Sequence, residues 1–172
     1  MAIVILSAQH TGTNFTMSYL HYLGVVFRQY HSDPLYYEDA THETSNKAVI
    51  PLRDPLLAYT STFLRNPNQD NLEIVDLRFK LLKKMTAWFE HVHFRLAAED
   101  RDAELRKVAD FCGYEGEINF DWIPVNNLNV KVTDYETWEI VSSHIGEDRS
   151  KQVLETLAPH REYYGYSTAG SI

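Results

Sequence analysis

The sequence predicts an α/β fold in three layers, with a central parallel sheet of about four to five strands flanked by helices. Three observations predict it. Apolar runs of strand length recur at Ala2–Leu6, Val25–Tyr30, Lys47–Leu52 and His91–Leu96. Segments with helical spacing separate them, and strands separated by helices imply a parallel sheet covered on both faces. The chain has 172 residues, of which 44% are hydrophobic, enough for one domain, 1–172, with its own core and too many for a disordered chain.

Taken in order, the strand Ala2–Leu6 passes through a small polar stretch into a helix over Thr13–Leu23. That helix has Met17, Leu20 and Leu23 among its apolar positions and Gly24 as its stop. The strand Val25–Tyr30 leads into a polar, Tyr-rich loop, His31–Asn46. The strand Lys47–Leu52 is followed by Asp54-Pro55, a capping residue with Pro in the first turn. The helix it opens ends near Arg65, before Asn66-Pro67-Asn68. A long helix over Leu72–Phe89 precedes the strand His91–Leu96, and a helix over Ala103–Cys112 is stopped by Gly113. Asn129–Val132 reads as a further short strand and Arg149–Leu157 as the last helix. No repeat of fixed period and no low-complexity tract interrupts this order.

Lys and Arg number 16 against 24 Asp and Glu, a net charge of −8. An acidic surface argues against nucleic acid or an anionic membrane as partner. An anionic ligand must then be met locally, by backbone N–H groups, a helix N-terminus or a well-placed Arg. No apolar run approaches the roughly 20 residues of a membrane span. The opening Met1-Ala2-Ile3-Val4 lacks the basic segment of a secretory signal. Cys112 is the one cysteine, so an internal disulfide is impossible and a reducing cytoplasm is the expected location.

In a parallel sheet, ligands bind beyond the carboxyl ends of the strands. Three such ends carry chemistry: Ser7–Thr13, His31–Asp33 and Arg53-Asp54. The first is a loop entering a helix N-terminus, where free N–H groups and the helix dipole favour phosphate. It lacks the signature G-x-x-x-x-G-K-[ST], which disfavours nucleoside-triphosphate hydrolysis. The stretch QHTGTNF resembles instead the 5′-phosphosulfate loop of sulfotransferases that use 3′-phosphoadenosine 5′-phosphosulfate (PAPS), usually written PKSGTTW. Gly12 and Thr13 match. Asn14 stands at the second Thr, Phe15 at the aromatic that meets adenine, and His10 at the lysine. A second stretch, VIPLRDPLLAYTSTFLR, resembles the family's 3′-phosphate element, a strand ending in Arg and then a helix with Ser eight residues on. Here these are Arg53 and Ser61. His31, 22 residues before Arg53, falls where the family often has a catalytic His. The specific motifs lie in the first 61 residues, and no clear Arg-Lys-Gly segment is present.

The resemblance implies a P-loop-type sulfotransferase fold and transfer of a sulfuryl group from PAPS to a hydroxyl or amine of a small-molecule, glycan or peptide acceptor. Adenosine 3′,5′-bisphosphate (PAP) would leave. Thr11, Gly12, Thr13 and Asn14 would hold the 5′-phosphate, Phe15 would meet the adenine, and Arg53 and Ser61 would hold the 3′-phosphate. His31 would take the acceptor's proton, and His10, when protonated, would stand in for the lysine. His42 and Glu43 are rivals for the base, and Asp33 suits a turn or cap. Two alternatives stay open: a non-catalytic nucleotide-binding domain of the same fold, and a nucleoside or nucleotide kinase with a degenerate loop. His91 and His93 share a strand face, but no third metal ligand stands out and the transfer needs no metal. Cys112 suits packing. Tyr36, Tyr37, Tyr163, Tyr164 and Tyr166 suit an acceptor pocket, each with a flat apolar ring and a hydroxyl. Neither the acceptor nor the oligomeric state is legible.

Overall fold

The computed structural model describes residues 2–69, 71–95, 100–121 and 135–166. Four strands, β1 (Ile3–Ser7), β2 (Phe27–His31), β3 (Lys47–Leu52) and β4 (Glu90–Arg95), form one sheet in the order β2-β1-β3-β4. Every pairing is parallel. The helices are α1 (Thr13–Tyr22), α2 (Pro34–Thr41), α3 (Pro55–Arg65), α4 (Leu72–Thr86), α5 (Arg101–Phe111), α6 (Tyr135–Ile145) and α7 (Glu147–Tyr163).

Strand alternation builds two cores, one on each face. Ile3, Ile5, Val49 and Phe94 pack with Phe15, Tyr19 and Leu20 of α1 and Leu105 and Val108 of α5. Val4, Leu6, Ala48 and Ile50 point the other way, onto Leu56 and Tyr59 of α3, Phe79 and Leu82 of α4, Trp138 of α6 and Leu157 of α7. The central strand β1 is buried along its whole length, as a strand covered on both faces must be. Each fully buried Leu or Ile contributes roughly 1.5–3 kcal/mol.

The connections obey one hand. The step from β1 to β2 runs through α1 on one face. The steps from β2 to β3 and from β3 to β4 run the opposite way, through helices on the other face. The direction therefore reverses between β1 and β3, and the carboxyl ends at such a reversal are the usual ligand position in this kind of sheet.

Several expectations are corrected. His31–Asn46 is not all loop. Asp33 caps α2, its carboxylate accepting from Leu35 N, with Pro34 at the first helical position. Only Ala40 of α2 is buried, so no apolar stripe announced it. The helix α6 was also unforeseen. The last helix runs from Glu147 to Tyr163 rather than Arg149–Leu157, continuing past Pro159. The second strand starts at Phe27, leaving Val26 71% exposed, and α4 stops at Thr86, short of Phe89. Capped by Asp100, α5 starts at Arg101, two residues before the expected Ala103. Asn129–Val132 and Leu96 lie outside the described residues.

Candidate functional site

The first loop has an unusual backbone. His10 has φ 66°, and Gly12 has φ 106°, while no other non-glycine described residue has positive φ. From Gln9 to Thr13 the sign of φ therefore alternates at each residue. Such alternation turns successive N–H groups toward one concavity, a nest that favours an anion. Gly12 is the N-cap of α1 and supplies no side-chain cap. Among the described residues, none of the N–H groups from Gln9 through Phe15 donates to a backbone carbonyl. Thr11 folds its hydroxyl inward, donating to the Ala8 carbonyl at 2.7 Å. Thr16 donates to the Gly12 carbonyl at 2.9 Å.

Strand register adds the side chains. Ser7 and His31 are paired across β1 and β2. Ser7 Oγ lies 2.7 Å from Thr13 Oγ1 and 3.4 Å from His31 Nδ1. Gln29 Nε2 lies 2.9 Å from His31 Nε2. With the Gln29 amide as donor, His31 accepts at Nε2 and carries its proton on Nδ1. Burial, with Arg78 adding to it, lowers the His31 pKa from its usual value, so the ring is neutral at pH 7.

Three guanidinium groups bear on the loop. Arg53, just beyond β3, donates from Nη1 to the His10 carbonyl at 3.2 Å. Arg65 closes α3, one turn beyond Ser61 on the same helix face. Arg78 comes from α4 and meets Asp33 Oδ2 at 3.4 Å. Burial, then Arg65, Arg78 and Arg53, push the His10 imidazole down to about 4. His10 is thus uncharged at neutral pH in the free protein. Burial also lowers the Arg53 pKa, with Arg65 adding to it, and an anion beside the loop would relieve both groups. In a chain of net charge −8, so local a concentration of cations is the arrangement an anionic ligand requires.

The structure brings together Thr11, Gly12, Thr13, His10, His31 and Arg53. Asn14 is exposed on the first turn of α1. Ser61 is buried, 2% exposed, on the helix that Arg53-Asp54 opens. Phe15 is 4% exposed and belongs to the core under the loop, with the Arg101 guanidinium 5.6 Å from its ring centre. Asp33 is a cap and the partner of Arg78. Glu43 is occupied by Arg28, Tyr30 and the N–H groups of Thr44 and Ser45. His42 caps the C-terminus of α2 and is exposed. The His91 and His93 rings lie 4.9 Å apart, and among the described residues no three metal-ligating side chains cluster. Burial pushes the Cys112 thiol up to about 11, so it packs rather than reacts.

Sequence reasoning missed Ser7, Gln29, Arg65 and Arg78. Arg65 was findable, four residues past Ser61 on a helix, and so was Gln29, two residues before His31 on a strand. Ser7 needed the strand register, and Arg78 needed the packing of α4. Among the described residues no helix is long and apolar enough to cross a membrane. No protein-family model, curated protein or solved structure matches the chain.

Proposed function

We propose that the chain is a PAPS-dependent sulfotransferase whose first loop holds the 5′-phosphate of the donor. The observation that supports this most is the alternating-φ loop with its uncommitted N–H groups, faced by Arg53 at the reversal point of the sheet. Arg53 and Ser61 take the 3′-phosphate, with Arg53 supplying a bidentate fork. The acceptor oxygen or nitrogen attacks sulfur, the bond from sulfur to the bridging phosphate oxygen breaks, and PAP leaves. His31 receives the acceptor's proton at Nε2, for which the Gln29 amide must swing aside. The loop amides, the helix terminus and the guanidiniums neutralise charge growing on the leaving group.

A second reading is favoured by one observation, the uncharged His10. A domain with neutral His10 at the lysine position binds the nucleotide without turning it over. A kinase would need ATP and magnesium on a loop that has no lysine.

Thermal unfolding with PAP, ADP and ATP, on wild type and Arg53→Ala, tests the proposal. A ligand at about 100 times its Kd stabilises by about 2.7 kcal/mol. PAP alone should raise the melting temperature, and Arg53→Ala should remove the shift. A shift with ATP and none with PAP would replace the proposal with the kinase. PAP binding without single-turnover transfer from PAPS to any acceptor would leave the non-catalytic reading.

A further inference from the structure

Ser7 closes β1 and is fully buried, at 0% exposed. Its hydroxyl reaches no surface, so it meets no ligand itself and acts only through its partners. Those partners are two groups of the candidate site. Thr13 Oγ1 lies 2.7 Å away and His31 Nδ1 3.4 Å away. Parallel register puts Ser7 and His31 side by side at the ends of β1 and β2. The loop then turns through Gly12 and brings Thr13, the first residue of α1, back to Ser7. A hydroxyl donates one hydrogen bond and accepts others, so the three groups can form a chain with one direction.

Gln29 sets that direction. Its Nε2, 2.9 Å from His31 Nε2, donates there and leaves the ring proton on Nδ1. His31 Nδ1–H then donates to Ser7 Oγ, and Ser7 Oγ–H donates to Thr13 Oγ1. The Thr13 O–H is left to donate onward at the N-terminus of α1, where the loop amides are uncommitted. The contact between Ser7 and His31 is long in the empty protein, and such contacts tighten once a site is filled. Successive hydrogen bonds polarise one another. An anion accepting from Thr13 therefore makes Ser7 Oγ a better acceptor, and the group that gains is a protonated His31. Other groups bear on the same ring. Arg78 of α4 opposes its protonation, and Asp33, at the cap of α2, favours it. Tyr36 of α2 stands edge-on at 5.8 Å, and His10 of the first loop is close enough to feel its charge.

We propose that Ser7 is a positioning residue that couples the first loop to the base: an anion held at Thr13 draws on Ser7, and Ser7 holds the Nδ1 proton of His31 so that Nε2 takes the acceptor's proton. The inference rests on the proposed function only in placing an anion on the first loop. No bond is made or broken along the chain, and the Nδ1 proton stays on His31. Its test is NMR of the His31 ring nitrogens in the full chain, titrated with pH in sulfate and in chloride at equal ionic strength. Sulfate keeps its charge over that range, and saturating PAP is run beside it. The free chain should show the Nδ1–H tautomer. Sulfate should raise the His31 protonation constant about tenfold. Ser7→Ala should still bind sulfate but lose most of that rise. Thr13→Val, which leaves Ser7 in place, should lose it as well and carries the test if Ser7→Ala does not fold. An Nε2–H tautomer in the free chain would reverse the chain and overturn the inference. So would a rise in either variant equal to that of wild type. A response to sulfate with no PAP binding would support the coupling and remove the PAPS-type donor. PAP binding with a rise that ignores Ser7 would do the opposite. Binding of neither anion would overturn both.

Discussion

His10 places backbone strain inside the candidate loop. An L residue in the left-handed region costs about 1–2 kcal/mol, and His10 sits there at φ 66°. Glycine enters the same conformation freely. His10→Gly should therefore raise stability in urea unfolding by about 1 kcal/mol, the strain relieved being partly offset by the greater freedom of glycine in the unfolded chain. The nest is made of backbone, so the variant should still bind PAP. If the imidazole serves the leaving group, single-turnover transfer should slow by about 10²–10⁴. A variant less stable than wild type would mean that imidazole packing outweighs the strain. Gly12-Thr13, His31 and Arg53 were legible as candidates because they match the family's motifs and stand at strand ends, and the fold brings them together. Arg78 was not, because nothing in a lone Arg of an amphipathic helix says which loop it will meet.

At the scale of elements, the strands and most of the helices were legible, and the exceptions have separate causes. The helix α2 exposes most of its surface, so its pattern looked like loop; what fixes it is the Asp33 cap and Pro34. Pro159 lies inside α7, although proline removes a helical hydrogen bond and crowds the preceding turn. The helix continues because tertiary contacts beyond the proline outweigh that cost. His160 Nε2 meets Asp76 Oδ1 at 2.7 Å. Arg161 grips Asp54 through Nε at 3.0 Å and Nη2 at 3.1 Å, with the two side chains 7% and 1% exposed. Tyr135 of α6 donates to the same carboxylate at 2.7 Å. Asp54 also caps α3, directly after Arg53, so α6 and α7 hold the helix that orients the candidate 3′-phosphate residues. Arg161→Met would leave a buried carboxylate short of its cation. It should destabilise by about 3–5 kcal/mol in urea unfolding and weaken PAP binding in the protein that remains folded. A loss below about 1 kcal/mol, the range of exposed pairs, would show that the pair is not buried in solution.

For the whole molecule, two histidines at the carboxyl edge of the sheet share a titration property. His10 lies in the first loop and His93 on β4, yet burial and neighbouring cations hold both at about 4 in the folded chain, against about 6.5 unfolded. Between those values the unfolded chain binds more protons than the folded one, so stability rises with pH across that interval. The contribution is complete above about 6.5 and is lost as pH falls toward 4. Asp76 and Glu43, lowered from their ordinary values by hydrogen bonds and cationic partners despite burial, add a loss of the same sign at lower pH. Melting temperature should therefore hold steady near neutrality and begin to fall below about pH 6.5, well above the range where carboxylates titrate. The double variant His10→Gln, His93→Gln should reduce that first fall, leaving the part that buried His31 contributes, with the later acid transition in place. An unchanged profile in the double variant would mean that these imidazoles protonate in the folded chain as readily as in the unfolded one, and that neither surrounding is as dry or as cationic as its geometry requires.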